Sequence, residues 1–271
     1  MRLVALLTDY GLADHYVGVV KAVIKGIAPD AEFLDISHEV PPFNIMEGAF
    51  LLLQASKHLP AGCTVMAVVD PGVNTQRLSI AVRTRRRVYI GPDNGLLYPA
   101  ASREGIAAVY DVGKGPQVLS KGGTFAGRDI FAPTAACLVL GKQLSRLGTR
   151  VQGMKVLNLP RARYADRAAV GTVLHVDRFG NMVTNFEGED FNPWRRGAVA
   201  FSLHVGDKEI PVRLADSYQE LSGVGLILGS SGSVEVSGRE RGPELKLNAG
   251  TILIMKRKRG NPNRSASSDR R

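Results

Sequence analysis

RLVALLTDYGLADHYVGVVKAVIKGIAPDAEFLDIS, residues 2–37, reads as strand, helix, strand. Arg2–Leu7 is an apolar run broken by Thr8-Asp9-Tyr10-Gly11, as a buried strand ends. From Asp14 to Ala28 the apolar residues Tyr16, Val19, Val20, Val23, Ile24 and Ile27 recur at helical spacing. Asp14 is the expected N-cap of that helix and Pro29 its stop. Glu32–Ile36 is the second strand. Apolar strands separated by a helix predict a parallel sheet buried on both faces.

The same texture continues outward. Ile45–His58 is a second amphipathic helix, stopped before Pro60, and Thr64–Val69 is a third strand, apolar after its first residue. Leu78–Val82, Arg87–Ile90 and Ala107–Val112 read as further strands, and Ile130–Leu140 as a helix. Leu157–Arg167, with Pro160 and a run of Arg and Ala, reads as a linker. Beyond it come short strands: Gly171–Val176, Met182–Asn185, Gly197–Val205, Ile210–Leu214, Gly225–Leu228, Ser233–Val236 and Thr251–Met255, with no long helix. That spacing predicts a small antiparallel barrel or sandwich. The expected class is therefore α/β: a mostly parallel α/β sandwich domain over residues 1–160, a smaller β domain over 168–256, and a disordered basic tail over 257–271.

A chain of 271 residues accommodates two such domains. Its 44% hydrophobic and 22% charged residues are those of a soluble globular protein. No apolar run approaches the roughly 20 residues that span a bilayer. The apolar start is interrupted by Asp9 and has no small-residue cleavage site, so a cytoplasmic protein without a signal peptide is expected. Cys63 and Cys137 lie in apolar stretches and are expected to be buried, reduced thiols. The net charge of +10 is concentrated: residues 256–271 hold seven Lys or Arg and one Asp, leaving +4 for the rest. A tail of that composition can touch phosphates, but a solvated, solubilising extension needs no partner, and nucleic acid is not expected as one.

Ligands of parallel α/β sheets bind beyond the carboxyl ends of the strands. Asp9 follows the first strand and Asp70 the third, in Val69-Asp70-Pro71-Gly72-Val73. Arg77 lies seven residues after Asp70, across a Pro-Gly turn that can fold it back. A carboxylate facing a guanidinium there could orient a water or a substrate hydroxyl. The plain alternative is that Asp70 caps its turn and Arg77 is a surface cation. In Gly122-Gly123-Thr124-Phe125-Ala126-Gly127-Arg128-Asp129, glycines such as Gly127 would let the backbone approach a ligand. Alternatively, Asp129 caps a helix and pairs with Arg128. Val176-Asp177-Arg178-Phe179-Gly180-Asn181 could be a hairpin turn, yet it gathers a carboxylate, an aromatic ring and an amide. Gly229-Ser230-Ser231-Gly232 offers hydroxyls and backbone N–H groups, or is a turn. There is no Gly-x-x-x-x-Gly-Lys, no Gly-x-Gly-x-x-Gly after the first strand, and no Gly-x-Ser-x-Gly at 229–233. His15, His38, His58, His175 and His204 show no metal-ligand spacing. His38, near a strand end, is the one histidine worth testing.

Six segments in order resemble one family, the S-adenosyl-L-methionine (SAM) hydroxide adenosyltransferases, relatives of the fluorinase and chlorinase. They are Leu7-Thr8-Asp9-Tyr10-Gly11, Ile36-Ser37-His38-Glu39-Val40-Pro41-Pro42-Phe43, Val69-Asp70-Pro71-Gly72-Val73, Gly91-Pro92-Asp93-Asn94-Gly95, Thr124-Phe125-Ala126-Gly127-Arg128-Asp129 and Asp177-Arg178-Phe179-Gly180-Asn181. The resemblance covers nearly all of the chain but the tail. It implies SAM bound between the N-terminal domain of one subunit and the C-terminal domain of its neighbour, in a homotrimer. It implies that Asp9 holds the ribose hydroxyls and Phe43 covers the sugar and sulfonium. Asp177 and Asn181 would grip the methionine and adenine ends, with Phe179 stacked on the base. Ser230 and Ser231 would anchor the methionine head, Gly127 would face the ligand, and the backbone near 238–240 would line the adenine. SAM is the substrate, adenosine and L-methionine are the products, and neither a cofactor nor a metal is implied.

In that family an Asp, an Arg and a His activate water. Asp70 and Arg77 match the first two; the His of Thr-Phe-His-Gly-Arg-Asp is Ala126 here, and Asn74 stands where the family usually has Gly. A sulfonium is already a good leaving group, so the work is to hold and desolvate the nucleophile in line with the carbon–sulfur bond. Losing a positioned base costs about a hundredfold to ten-thousandfold. Three accounts of Ala126 follow: a substitution made to trap ligand, a natural variant with another base, or a protein that binds SAM without turnover. A chloride-dependent transferase is a further rival, opposed by the charge of Asp70 on an incoming anion.

Overall fold

The computed structural model describes residues 1–120, 123–238 and 247–258. The chain divides into two compact units, Met1–Leu159 and Pro160–Arg271. Of the expected disordered tail, residues 259–271 lie outside the described residues, as do residues 239–240 of the expected adenine lining.

The first unit is built on a seven-stranded sheet of order β2-β1-β3-β5-β4-β6-β7. Its strands are β1 (Leu3–Thr8), β2 (Glu32–Ser37), β3 (Thr64–Val68), β4 (Ser79–Thr84), β5 (Val88–Pro92), β6 (Ile106–Asp111) and β7 (Thr149–Val151). β2, β1, β3 and β5 are mutually parallel. β4 reverses beside β5, β6 reverses again and β7 is antiparallel to it, so five of the seven strands share one direction. Alternate residues of β1 face opposite sides, as the pleat requires. Val4 and Leu6 pack with Val20 and Ile24 of α1 (Tyr16–Ile27) and with Ala132, Ala135 and Ala136 of α4 (Ala132–Val139). Ala5 and Leu7 pack with Ala49 and Leu52 of α2 (Ile45–Ser56) and with Ala100 and Ala101 of α3 (Tyr98–Glu104). Both faces are thereby sealed, which explains the uninterrupted apolar strands.

Two local expectations change. The N-cap of α1 is His15, with no side-chain cap bond, rather than Asp14. The expected helix Ile130–Leu140 starts earlier, as a π-helical turn at Gly127–Phe131 that leads into α4.

The second unit is a closed barrel of seven strands with an eighth attached. The strands are β8 (Arg163–Tyr164), β9 (Ala168–Val176), β10 (Met182–Glu187), β11 (Ala200–Val205), β12 (Lys208–Ala215), β13 (Val224–Leu228), β14 (Ser233–Gly238) and β15 (Ile252–Arg257). Their order is β10-β14-β13-β12-β11-β15-β9-β8, and β10 pairs back with β9 to close the ring. Closure removes the exposed edges that an open sheet would present. The expected antiparallel pattern holds except at β12 and β13, which run parallel. Phe186, Phe201, Leu226, Val234 and Leu253 fill the interior. One short helix, α5 (Gly188–Arg195), stacks Trp194 on Phe201 at 6.1 Å. β8 falls inside the expected linker. Cys63 and Cys137 are free and buried, and no described helix is long and apolar enough to cross a membrane.

Candidate active site

β1 and β3 are neighbouring parallel strands with Thr8 opposite Val68, so the residues leaving their carboxyl ends emerge side by side. Asp9 leaves β1 and Asp70 leaves β3. Arg77 does fold back across the Pro71-Gly72 turn. Its Nε donates to Asp70 Oδ1 at 2.7 Å and its Nη2 donates to Asp70 Oδ2, a bidentate fork. Its Nη1 donates to Ser79 Oγ at 3.0 Å and to the Leu78 carbonyl at 3.2 Å. The side chains of Asp70 and Arg77 are only 6% and 13% exposed, so this is a largely desolvated pair and not a loose surface contact. The reading of Arg77 as a surface cation is therefore overturned. Asn74, in the same loop, has φ +61°. Asn tolerates that left-handed conformation far better than most side chains, so it supplies what a glycine would there.

The end of β3 is itself tied down. Asn94 donates to the Val69 carbonyl at 2.7 Å, while its Oδ1 accepts from Leu96 N–H at 3.1 Å. The Asp93-Asn94-Gly95 segment thus braces the strand end that carries Asp70.

Asp9 Oδ2 accepts the Phe43 N–H at 2.9 Å. That bond holds Phe43 at φ +65°, with its ring 67% exposed. A bulky non-glycine residue in that region is a conformational outlier, held only where its surroundings over-determine it. Burial pushes the Asp9 carboxyl above its ordinary range. The Phe43 N–H pulls it down and the charge of Asp70 adds to the rise.

His38 is not a free reactive group. Its Nδ1 lies 2.8 Å from Thr8 Oγ1 and its Nε2 3.1 Å from Asp35 Oδ1, and it is buried. It ties the ends of β1 and β2 together, assisted by Gly11 N–H donating to its carbonyl at 2.7 Å.

Ala126 is buried in the apolar layer between sheet and α4 and opens the π-helical turn. Asp129 is also buried and receives Arg128 Nε at 2.7 Å and Nη2 at 2.9 Å. Gly127 approaches a tyrosine and not open space: a Cβ there would meet Tyr10 Oη at 2.3 Å and Phe125 Cε2 at 3.0 Å. Tyr10 is the residue that sequence reasoning passed over. Burial raises its hydroxyl far above the ordinary tyrosine range, the charges of Asp9 and Asp70 raise it further, and Arg77 opposes them. The available signal was its position, directly after Asp9.

In the second unit, Asp177 does cap its own turn. Its Oδ1 accepts from the N–H of Phe179 at 2.9 Å and of Asn181 at 2.8 Å, and its Oδ2 accepts Asn181 Nδ2 at 2.9 Å. Gly180, at φ +84°, completes the hairpin between β9 and β10. The turn nevertheless presents Phe179 at 87% exposure, a large aromatic held out on a rigid support. Asn181 Oδ1 accepts from Ser237 Oγ. Ser230 and Ser231 lie in the loop between β13 and β14, at the other end of β14 from this turn, since Met182 pairs with Val236 and Glu187 with Ser233. The two groups are therefore separated by the length of that strand, roughly 16 Å at about 3.3 Å per residue. Sequence reasoning also missed Tyr218, which donates to Glu235 Oε2 at 2.6 Å. Burial, then the Glu235 bond, pushes its hydroxyl up to about 12. Glu235 also explains Gly229, where a Cβ would fall 1.9 Å from Glu235 Oε1. Among the described residues no cluster of three or more His, Cys, Asp or Glu is arranged to hold a metal ion.

Comparison with known proteins bears on both units. Residues 4–148 match the sequence profile of the SAM hydroxide adenosyltransferase N-terminal domain, and residues 171–247 that of its C-terminal domain. An (R)-S-adenosyl-L-methionine hydrolase of Thermus thermophilus is 37% identical over 246 residues, covering 88% of this chain and 92% of that protein. One from Salinispora tropica is 34% identical, covering 91% and 98%. The crystal structure of an uncharacterized conserved protein from Thermotoga maritima superposes with a TM-score of 0.86 at 34% identity, covering 94% of this chain and all of that one.

Proposed function

The chain belongs to the SAM hydroxide adenosyltransferase family, and from that premise we propose that it hydrolyses SAM to adenosine and L-methionine by in-line attack of water at the 5′ carbon. The observation that carries this reading is the forked, largely desolvated Asp70–Arg77 pair beside Asp9 at the carboxyl edge of the sheet.

Chemistry follows from that pair. Arg77 is fixed by Asp70, Ser79 and the Leu78 carbonyl, so it holds the Asp70 carboxylate in one orientation. A carboxylate so held accepts a hydrogen bond from a water and aims its lone pair at the electrophilic carbon. The oxygen–carbon bond forms as the carbon–sulfur bond breaks, its electron pair returning to sulfur to leave neutral methionine. The water's proton passes to Asp70 and on to solvent. Asp9, next to Asp70, suits two ribose hydroxyls, and the exposed Phe43 ring suits the sugar and sulfonium face.

The remaining contacts come, in this reading, from the second unit of a neighbouring copy in a homotrimer. Phe179 stacks on the base, Asp177 and Asn181 hold one end of the ligand, and Ser230 and Ser231 hold the methionine head. The strand-length separation of those two groups suits a ligand that is itself extended, with a nucleoside at one end and an amino acid at the other. No cofactor or metal enters the proposed reaction.

Incubation of the purified protein with SAM, followed by chromatography for adenosine and methionine, tests the activity. Asp70→Asn is expected to lower kcat by about a hundredfold to ten-thousandfold. The same incubation in high chloride is expected to yield no 5′-chloro-5′-deoxyadenosine, because the Asp70 charge repels a halide. Equal adenosine formation by Asp70→Asn and the unaltered chain would reject this mechanism.

A further inference from the structure

We propose that the Tyr10 hydroxyl is a second hydrogen-bonding group for the attacking water, acting with the Asp70 carboxylate at a place where Ala126 brings no polar atom. This rests on the hydrolase reading above.

Position comes first. Tyr10 directly follows Asp9 at the carboxyl end of β1. Its ring is fixed by edge contacts with Phe125, at 5.6 Å and 74°, and by Tyr16 at 6.0 Å. The hydroxyl is thereby delivered against Gly127, so closely that a Cβ there would sit 2.3 Å from Oη. Gly127 is the residue after Ala126, and the glycine is what admits the phenol oxygen to this spot.

Partnership comes second. A buried tyrosine hydroxyl normally finds a hydrogen-bond partner. Tyr89 donates to Glu104 at 2.7 Å and Tyr218 to Glu235 at 2.6 Å. Among the described residues nothing hydrogen-bonds Tyr10 Oη. The Tyr164 hydroxyl, in the other unit, also lacks a partner but is sealed from solvent, whereas Tyr10 is only half-buried. Its hydrogen-bonding capacity is kept for something that enters the site.

Electrostatics then sets the role. The hydroxyl lies in the field of Asp9, Asp70 and Arg77, and burial together with the two carboxylates holds its proton on. A phenol that stays neutral does not serve as the base. It accepts one hydrogen bond from the water, or donates one to it, and so fixes a direction while Asp70 takes the proton. Tyr10 ends the step as it began it, and the atoms balance without it: water and the sulfonium give adenosine, methionine and one proton.

Tyr10→Phe keeps the ring and its packing and removes only the oxygen. The expected result is a kcat lowered by roughly tenfold to a hundredfold, with KM for SAM within about twofold and an unchanged Tm. A Tyr10→Phe enzyme with wild-type kcat overturns the proposal. So does one whose Tm and KM move along with kcat, since that pattern belongs to a packing role. An unaltered chain that forms no adenosine overturns the hydrolase reading and this proposal with it, whereas an active chain indifferent to the hydroxyl overturns this proposal alone.

Discussion

Asp9, the proposed ribose ligand, is held against its own solvation preference. Its carboxyl is raised by burial, so between the unfolded value and the raised native value the folded chain binds more protons than the unfolded one. Stability therefore falls as pH rises through that window, and the full penalty stands above it. Asp9→Asn keeps an acceptor for the Phe43 N–H and removes the charge. Its Tm is expected to exceed that of the unaltered chain at pH 7, with the difference vanishing below about pH 3, where an aspartic acid is neutral in either state. SAM affinity should fall in the same variant, because a carboxylate accepts two ribose hydroxyls better than an amide does; calorimetry and thermal melts read the two effects separately. At Ala126 the expectation runs the other way. Ala126→His is expected to raise the hydrolysis rate by roughly tenfold or more, and an unchanged rate with SAM bound would remove that position from the chemistry. Asp70 and Arg77 were legible because seven residues and a Pro-Gly turn bring a guanidinium back to a strand end. Tyr10 was not legible. A tyrosine after a strand reads as packing, and only the fold reveals a hydroxyl over a glycine with no partner among the described residues.

Among the elements, the segment between β2 and α2 is where local strain and the proposed binding role can be separated. Phe43 adopts φ +65° with an exposed ring, held by one hydrogen bond to Asp9. A left-handed conformation costs a non-glycine residue about 1–2 kcal/mol, while glycine costs about 0.5–1 kcal/mol in added unfolded-state freedom. Phe43→Gly should thus leave stability within about 1 kcal/mol of the original in a denaturant melt. Its KM for SAM should nonetheless rise by an order of magnitude, since the ring over the sugar is gone. The buried strands β1 and β3 were readable to within a residue or so, because a sheet covered on both faces demands unbroken apolar runs. The reversal at β4 was not, because β4 and β5 are both apolar whichever way they run. α3 escaped notice at seven residues with a proline in its first turn, and α5 because its mean hydropathy is low and Pro193 sits inside it. The hairpin of β9 and β10 was readable from its turn, but the barrel also needs the distant pairs β10 with β14 and β15 with β9, which no single strand declares.

For the whole molecule the decisive question is whether one chain makes a complete site. The proposed contributions split cleanly between the units: Asp9, Asp70 and Arg77 belong to Met1–Leu159, whereas Phe179, Asn181, Ser230 and Ser231 belong to Pro160–Arg271. In a cyclic trimer each site would take its first set from one copy and its second from the next, a heterologous arrangement that closes on itself. Two inactive variants then become complementary. Asp70→Asn damages only the first unit's contribution. Phe179→Ala joined with Asn181→Ala damages only the second's, by removing the aromatic platform and an amide. Co-expressed in equal amounts and randomly assembled, they should leave about one site in four with both halves intact, so the mixture regains roughly a quarter of the original kcat while each variant alone stays near zero. Light scattering of the same sample should give three times the chain mass. A mixture no more active than its parents, from a preparation shown to contain mixed trimers, would place each site within a single chain.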